Sequence, residues 1–245
     1  MGAGRLVITL SVLLLASLGV NVVLYRFSTR TYDQLFEVRL DPNGMNGLDW
    51  WTTPAPRVAG GPWRIVMFGD SRAQMWPAPS LPPDQELINR GIGGQTTAQI
   101  LGRFEHHVTP LQPDRIILQA GVNDLKTVAL FPEDERRIIE ACKANLAAII
   151  ARSESIGAAV LVTTIFPCGP VPLERRPFWS NRVDIAVDEV NDYLRTLERP
   201  GVEVFDADRM LRENGRLKRE WALDLLHLSE AGYAHLNVAL AEHLK

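Results

Sequence analysis

The sequence predicts an α/β domain on a doubly wound parallel sheet, and three observations carry that expectation. Five short runs rich in Val, Ile and Leu are continuously apolar rather than alternating, as suits strands buried on both faces. Longer segments with apolar residues at three- and four-residue spacing separate them, as amphipathic helices require. Polar, glycine-containing clusters stand directly after the runs, at the strand ends where such sheets bind ligands.

The strands are expected at residues 64–68 (RIVMF), 86–89 (ELIN), 115–119 (RIILQ), 159–165 (AVLVTTI) and 202–205 (VEVF). Helices are expected at 96–108, 133–155 and 178–199. In the second of these, Ile138, Ile139, Cys142, Leu146, Ile149 and Ile150 form one apolar stripe. Ser229 is placed to cap a last helix running to about Leu244.

Ahead of the domain, residues 6–25 carry no charge and lie between Arg5 and Arg26. As a helix this run is roughly 30 Å long, enough to cross a bilayer. An uncleaved anchor accounts for the continuation through Val20, Val22, Val23 and Leu24. A cleaved secretory signal is the other reading, with Ser17-Leu18-Gly19 as its site. Arg26 and Arg30 on the far side stand against Arg5 and the terminal amine, so the positive-inside rule does not fix an anchor's orientation; export of the domain that follows, outside the cytoplasm, is expected. Residues 27–62, with Pro and Gly in DPNGMNG and TTPAPRVAGGP, read as a linker or arm in which Trp50 and Trp51 pack on the domain or at a membrane interface. The division is then 1–26 anchor or signal, 27–62 arm, 63–245 α/β domain.

The hydrophobic fraction of 46% and charged fraction of 22% are those of a globular protein, against wholesale disorder. A net charge of -3 leaves no basic footprint for nucleic acid. Two cysteines, Cys142 and Cys168, lack C-x-x-C spacing; they form one bridge or none.

Four clusters carry chemistry. Gly69-Asp70-Ser71 turns sharply after the first strand, placing a hydroxyl at a helix start with free N–H groups; as a bare pair, Asp70-Ser71 is also an ordinary cap. Gly91, Gly93 and Gly94 let backbone approach a ligand, as an oxyanion loop or a plain tight loop; the phosphate-loop pattern is absent. Gly121-Val122-Asn123-Asp124 offers a neutral amide donor, or Asn123-Asp124 forms a helix cap or Asx turn. Asp224-Leu225-Leu226-His227 provides an imidazole with an acceptor three residues away.

Taken in order, these clusters resemble the SGNH hydrolase superfamily, the GDSL esterases and lipases. The matches are Phe68-Gly69-Asp70-Ser71; Asn89-x-Gly91-Ile92-Gly93-Gly94-x-Thr96-Thr97; Gly121-x-Asn123-Asp124; and Asp224-x-x-His227-Leu228, together covering residues 63–244. Arg72 falls where the family varies. The resemblance implies a flavodoxin-like three-layer α/β/α sandwich with a five-stranded parallel sheet in order 2-1-3-4-5. It implies an ester hydrolase working through an acyl-enzyme on Ser71, with His227 as base, Asp224 orienting it, and Ser71, Gly94 and Asn123 forming the oxyanion hole. An α/β-hydrolase is disfavoured: Ala73 stands where G-x-S-x-G needs glycine, and acid and base are only three residues apart. An O-acyltransferase on a glycan with the same serine, and a non-catalytic binding module, are the alternatives.

No cofactor and no metal are expected. His106-His107 are adjacent and point apart on a helix. The partner is a small-molecule, lipid or glycan ester, with membrane attachment through residues 6–25. Segment 166–172 with Phe178 and Trp179 is expected to shape a substrate pocket or to serve as a rigid connection.

Overall fold

The computed structural model describes residues 2–43, 57–58 and 60–244. The chain divides into two compact units, Met1–Gly47 and Leu48–Lys245.

The first unit is a single helix, α1 (Ala3–Leu40), none of whose residues is buried. Among the described residues it is the one helix long and apolar enough to cross a membrane. It runs past residue 26, where the anchor was expected to end, and into the stretch expected as the arm. Residues 26–40 contain no Gly or Pro to break a helix, and it stops just before Pro42, which cannot extend it. Trp50 and Trp51 lie outside the described residues.

The second unit is built, in chain order, from β1 (Trp63–Gly69), α2 (Ser71–Gln74), β2 (Gln85–Gly91), α3 (Thr97–Gly102), α4 (Phe104–His107), β3 (Arg115–Gln119), α5 (Val122–Leu125), α6 (Glu135–Ser155), β4 (Ala159–Thr163), α7 (Arg182–Arg195), β5 (Val202–Phe205), α8 (Ala207–Leu211), a small hairpin β6 (Arg212–Glu213) and β7 (Arg216–Leu217), and α9 (Glu230–His243). Strands β1 to β5 form one parallel sheet in the order β2-β1-β3-β4-β5.

Alternation along the strands separates two cores. Val66, Phe68, Ile116, Leu118, Val160 and Val162 face α3, α6 and α7, meeting Ile100, Leu146 and Val190. Ile65, Met67, Ile117 and Leu161 face α8 and α9, meeting Leu211, Tyr233, Leu236 and Leu240. Each such fully buried aliphatic side chain stabilises by about 1.5–3 kcal/mol relative to exposure. The sheet is thus the middle of three layers. Strand ends Gly69, Gly91 and Gln119 stand in register on one rim.

Helix boundaries differ from expectation in two places. The helix expected at 96–108 breaks at Arg103, whose guanidinium turns inward to bond the Gly69 and Arg90 carbonyls. That expected at 178–199 starts only at Arg182, after a 3-10 turn Leu173–Phe178 that contains Pro177. Strand β4 ends at Thr163, because the Ile165 N–H donates to the Asn191 side chain instead of a neighbouring strand. Ser229 does cap α9, its hydroxyl accepting from Gly232 N–H. Cys142 and Cys168 are both free and buried, and burial pushes both thiols up.

Candidate active site

Gly69 ends β1 where it must be glycine: an added Cβ would lie 1.8 Å from the Gln119 carbonyl oxygen. The close approach lets the chain turn into α2, with the Asp70 carboxylate capping it by accepting from Arg72 N–H at 2.8 Å. Ser71, the first residue of α2, is left half-buried on the rim.

Ser71 Oγ is 2.9 Å from His227 Nε2, across 156 positions of sequence. The other ring nitrogen, Nδ1, lies 2.8 Å from Asp224 Oδ2. Asp224 Oδ1 also accepts the N–H groups of Leu226 and His227, at 2.7 and 2.8 Å. Partial burial pushes this carboxyl upward, but the ring and backbone bonds outweigh it and hold it below its ordinary value. Aspartate, imidazole and hydroxyl therefore form one continuous chain of hydrogen-bonding groups.

The second and third clusters come to the same rim. A Cβ on Gly93 would stand 3.7 Å from Ser71 Cβ, so the glycine loop passes directly beside the hydroxyl-bearing residue. Gly94 has φ +77°, a left-handed conformation that an L side chain resists. Asn123 is 4% exposed, and its Nδ2 donates to the Gln95 carbonyl at 3.0 Å while Oδ1 accepts from Lys126 Nζ at 2.6 Å. An amide nitrogen has two hydrogens, so a second donor is left.

A cavity of about 440 Å³ adjoins His227, within the usual range for small ligands. Leu130, Phe178 and Trp179 supply apolar wall, Lys126 and Arg175 cationic wall, and Asp224 and His227 complete one side. Of the segment expected to shape a pocket, Pro172, Phe178 and Trp179 do line it. Phe166 and Cys168 are instead buried in the core.

A sequence profile described as the GDSL-like Lipase/Acylhydrolase family matches residues 58–235. The chain belongs to the GDSL-like lipase/acylhydrolase family. As a GDSL-type hydrolase it shares its fold with solved structures of low identity. A GDSL-like lipase from Bacteroides thetaiotaomicron is 20% identical, aligned over 76% of this chain and 91% of its own, with a TM-score of 0.58. A Streptococcus pneumonia protein named for platelet activating factor is 22% identical over 89% and 99%, with a TM-score of 0.66. An acetyl xylan esterase is 20% identical over 74% and 100%, with a TM-score of 0.61. No curated protein in the comparison matches.

Around the hydrolase's site lie residues to which the sequence assigned no role there. Arg72, fully buried, donates from Nε to the Leu226 carbonyl at 2.7 Å and from Nη1 to the Phe166 carbonyl at 3.0 Å. Arg103, also fully buried, bonds Gly69, Arg90 and the Gln95 side chain, joining the ends of β1 and β2 to the glycine loop. Burial and nearby Arg90 lower its pKa to about 9. Asp124 accepts from both the N–H and the hydroxyl of Thr97, at 2.8 and 2.6 Å, so it caps α3 from another loop. The cap reading of this residue holds, but for a different helix from its own. Burial raises its pKa against those bonds. Composition gives no sign of these partnerships, since each joins residues far apart in sequence. His107 is buried against Arg103 and His106 is exposed. Among the described residues, no group of three or more His, Cys, Asp or Glu could hold a metal ion.

Proposed function

We propose that this hydrolase cleaves carboxylic esters through an acyl-enzyme on Ser71, with His227 as general base and Asp224 as the group that orients it. The observation that carries the reading is the 2.9 Å separation of Ser71 Oγ and His227 Nε2, with Asp224 on the opposite ring nitrogen. Asp224 accepts from Nδ1–H, which leaves Nε2 free to take the serine proton as Oγ attacks the ester carbonyl. The negative oxygen formed there is held by the N–H groups of Ser71 and Gly94 and by the Asn123 amide. Collapse of the tetrahedral species expels the alcohol, which takes its proton from His227. Water, deprotonated by the same ring, then attacks the acyl group, and Ser71 Oγ recovers the proton.

The adjoining cavity is the place for a group of the substrate, and its mainly apolar wall suits a short acyl chain or the non-ionic face of an alcohol. Residues 6–25 anchor the chain in a membrane, with the catalytic unit outside the cytoplasm. Support comes from the absence of charge in that run and from its place in a helix with no buried residue. Mass spectrometry of the mature N-terminus tests the anchor, which a start near Val20 would sink.

The enzymatic test is turnover of p-nitrophenyl acetate and longer acyl esters by the wild type and Ser71→Ala, with fluorophosphonate labelling beside it. The substitution is expected to cost at least about 10³-fold in kcat and to abolish labelling. Wild-type turnover in the variant would remove Ser71 from the reaction.

A further inference from the structure

Lys126 begins the 3-10 turn that follows α5 and lines the cavity beside His227. Its ammonium is 2.6 Å from Asn123 Oδ1. An ammonium is donor-only, so the atom it meets must be the amide oxygen; the Gln95 carbonyl is acceptor-only, so the atom it meets must be the nitrogen. These two contacts together permit only one of the two flip states of the carboxamide.

The ammonium belongs to no ion pair among the described residues. Of the nearby carboxylates, Asp70 accepts from Arg72 N–H and Asp124 from Thr97. Burial lowers the lysine's pKa, Arg175 and Arg72 lower it further, and Asp70 and Asp124 oppose them. Half-buried and outside any ion pair among the described residues, the lysine directs its ammonium to the Asn123 amide. A cation on a carbonyl oxygen withdraws electron density from the amide, making the N–H groups of Nδ2 stronger donors.

We propose that Lys126 is a positioning residue for the oxyanion donor: it locks the Asn123 carboxamide with nitrogen toward the reacting centre and strengthens that nitrogen's hydrogen bond to developing negative charge. The proposal rests on the reading of Asn123 as an oxyanion-hole donor. Its effect belongs to the transition state, so it acts on kcat and leaves KM nearly unaltered.

A double-mutant cycle on the full-length protein in detergent tests it, with p-nitrophenyl acetate as substrate and thermal melts to verify folding. Lys126→Met is expected to lower kcat about 10- to 100-fold, less than the 10²–10³-fold expected for loss of the donor itself in Asn123→Ala. Combining the two should cost no more than about twofold beyond Asn123→Ala alone, because the lysine then has nothing to orient. Lys126→Gln, neutral but still able to donate to Oδ1, should fall between wild type and Lys126→Met; it also serves if the methionine variant does not fold. Losses that multiply, or a rise in KM at constant kcat, overturn the proposal by assigning Lys126 to substrate binding or to the scaffold. Should Asn123→Ala keep wild-type kcat, the oxyanion reading fails and the proposal with it. If Asn123→Ala is impaired while both lysine variants are not, the proposal alone fails.

Discussion

Arg72 Nε donates to the Leu226 carbonyl at 2.7 Å, so the neighbour of the proposed nucleophile holds the neighbour of the proposed base. Through Nη1 the same guanidinium donates to the Phe166 carbonyl, and its Cζ lies over the Phe166 ring, 5.2 Å from the centroid. Arg72 thus ties the segment carrying Ser71 to the loop carrying His227, whose Nε2 stands 2.9 Å from the serine Oγ.

Arg72→Met should therefore misplace the His227 loop while filling the same space. The expected result is a kcat lower by about 10- to 100-fold, since displacements near 1 Å carry losses of that order. KM should stay within about twofold. Arg72→Lys should recover only part of the loss, because one ammonium does not reproduce a fork that spans two carbonyls. Steady-state kinetics of the three proteins decide the matter; wild-type kcat in the methionine variant would refute the link.

Asp70 makes a prediction about pH. It is fully buried, and that burial, against the opposing pull of Arg72, raises its pKa to about 6. The folded chain then holds this proton more tightly than the unfolded chain. Its contribution to stability is greatest at low pH and is lost as pH rises through 6, by about 3 kcal/mol once the group is ionised. Asp70→Asn keeps an oxygen for the Arg72 N–H and needs no charge. Urea denaturation at pH 8 should find the variant more stable than wild type, with the advantage shrinking as pH is lowered toward 4. Parallel pH profiles for the two proteins would contradict this.

Asp224→Asn separates orientation from loop structure. An asparagine oxygen still accepts the Leu226 and His227 N–H groups, but no longer carries the charge that steadies an imidazolium. A loss of about 10³–10⁴-fold in kcat with little change in thermal midpoint is expected. A variant with near wild-type kcat would argue against Asp224 as the orienting group.

Gly94→Ala probes the glycine loop. Nothing lies within 4 Å of an added Cβ, so the methyl meets no obstacle, and the penalty is the left-handed backbone, about 1–2 kcal/mol. The loop can relieve that strain by turning, which carries its N–H away from the oxyanion. Kinetics should show kcat down at least about tenfold while the melting temperature moves by only a few degrees. Unchanged kcat would remove Gly94 from the proposed oxyanion hole.

Much of this architecture was legible in local pattern. Residues 202–205 read as a strand because they form a short valine-rich run between helical segments, and β5 occupies those residues with Val202 and Phe205 buried. Ser229 read as a cap because a short hydroxyl before an apolar run satisfies helix N–H groups, and it does so here. The pattern misled where the tertiary fold pulls on one residue. Periodicity carried the helix expected at 96–108 through Arg103, yet the interior claims that guanidinium and the helix breaks there. Asp124 read as a cap or turn residue for its own segment, whereas its carboxylate serves Thr97.

Residue type and spacing determined the doubly wound sheet, and the order of four short blocks, by its resemblance to a known family, pointed to that family and to which serine, aspartate, asparagine and histidine to examine. Those signals act between neighbours a few positions apart, or through a recurring order of short blocks. Tertiary structure decided that Ser71 and His227 meet, that Arg72 and Arg103 lie in the interior, and that Lys126 rests on Asn123. The reason is physical: desolvation and hydrogen-bond geometry depend on atoms brought together from distant parts of the chain, which local periodicity does not encode.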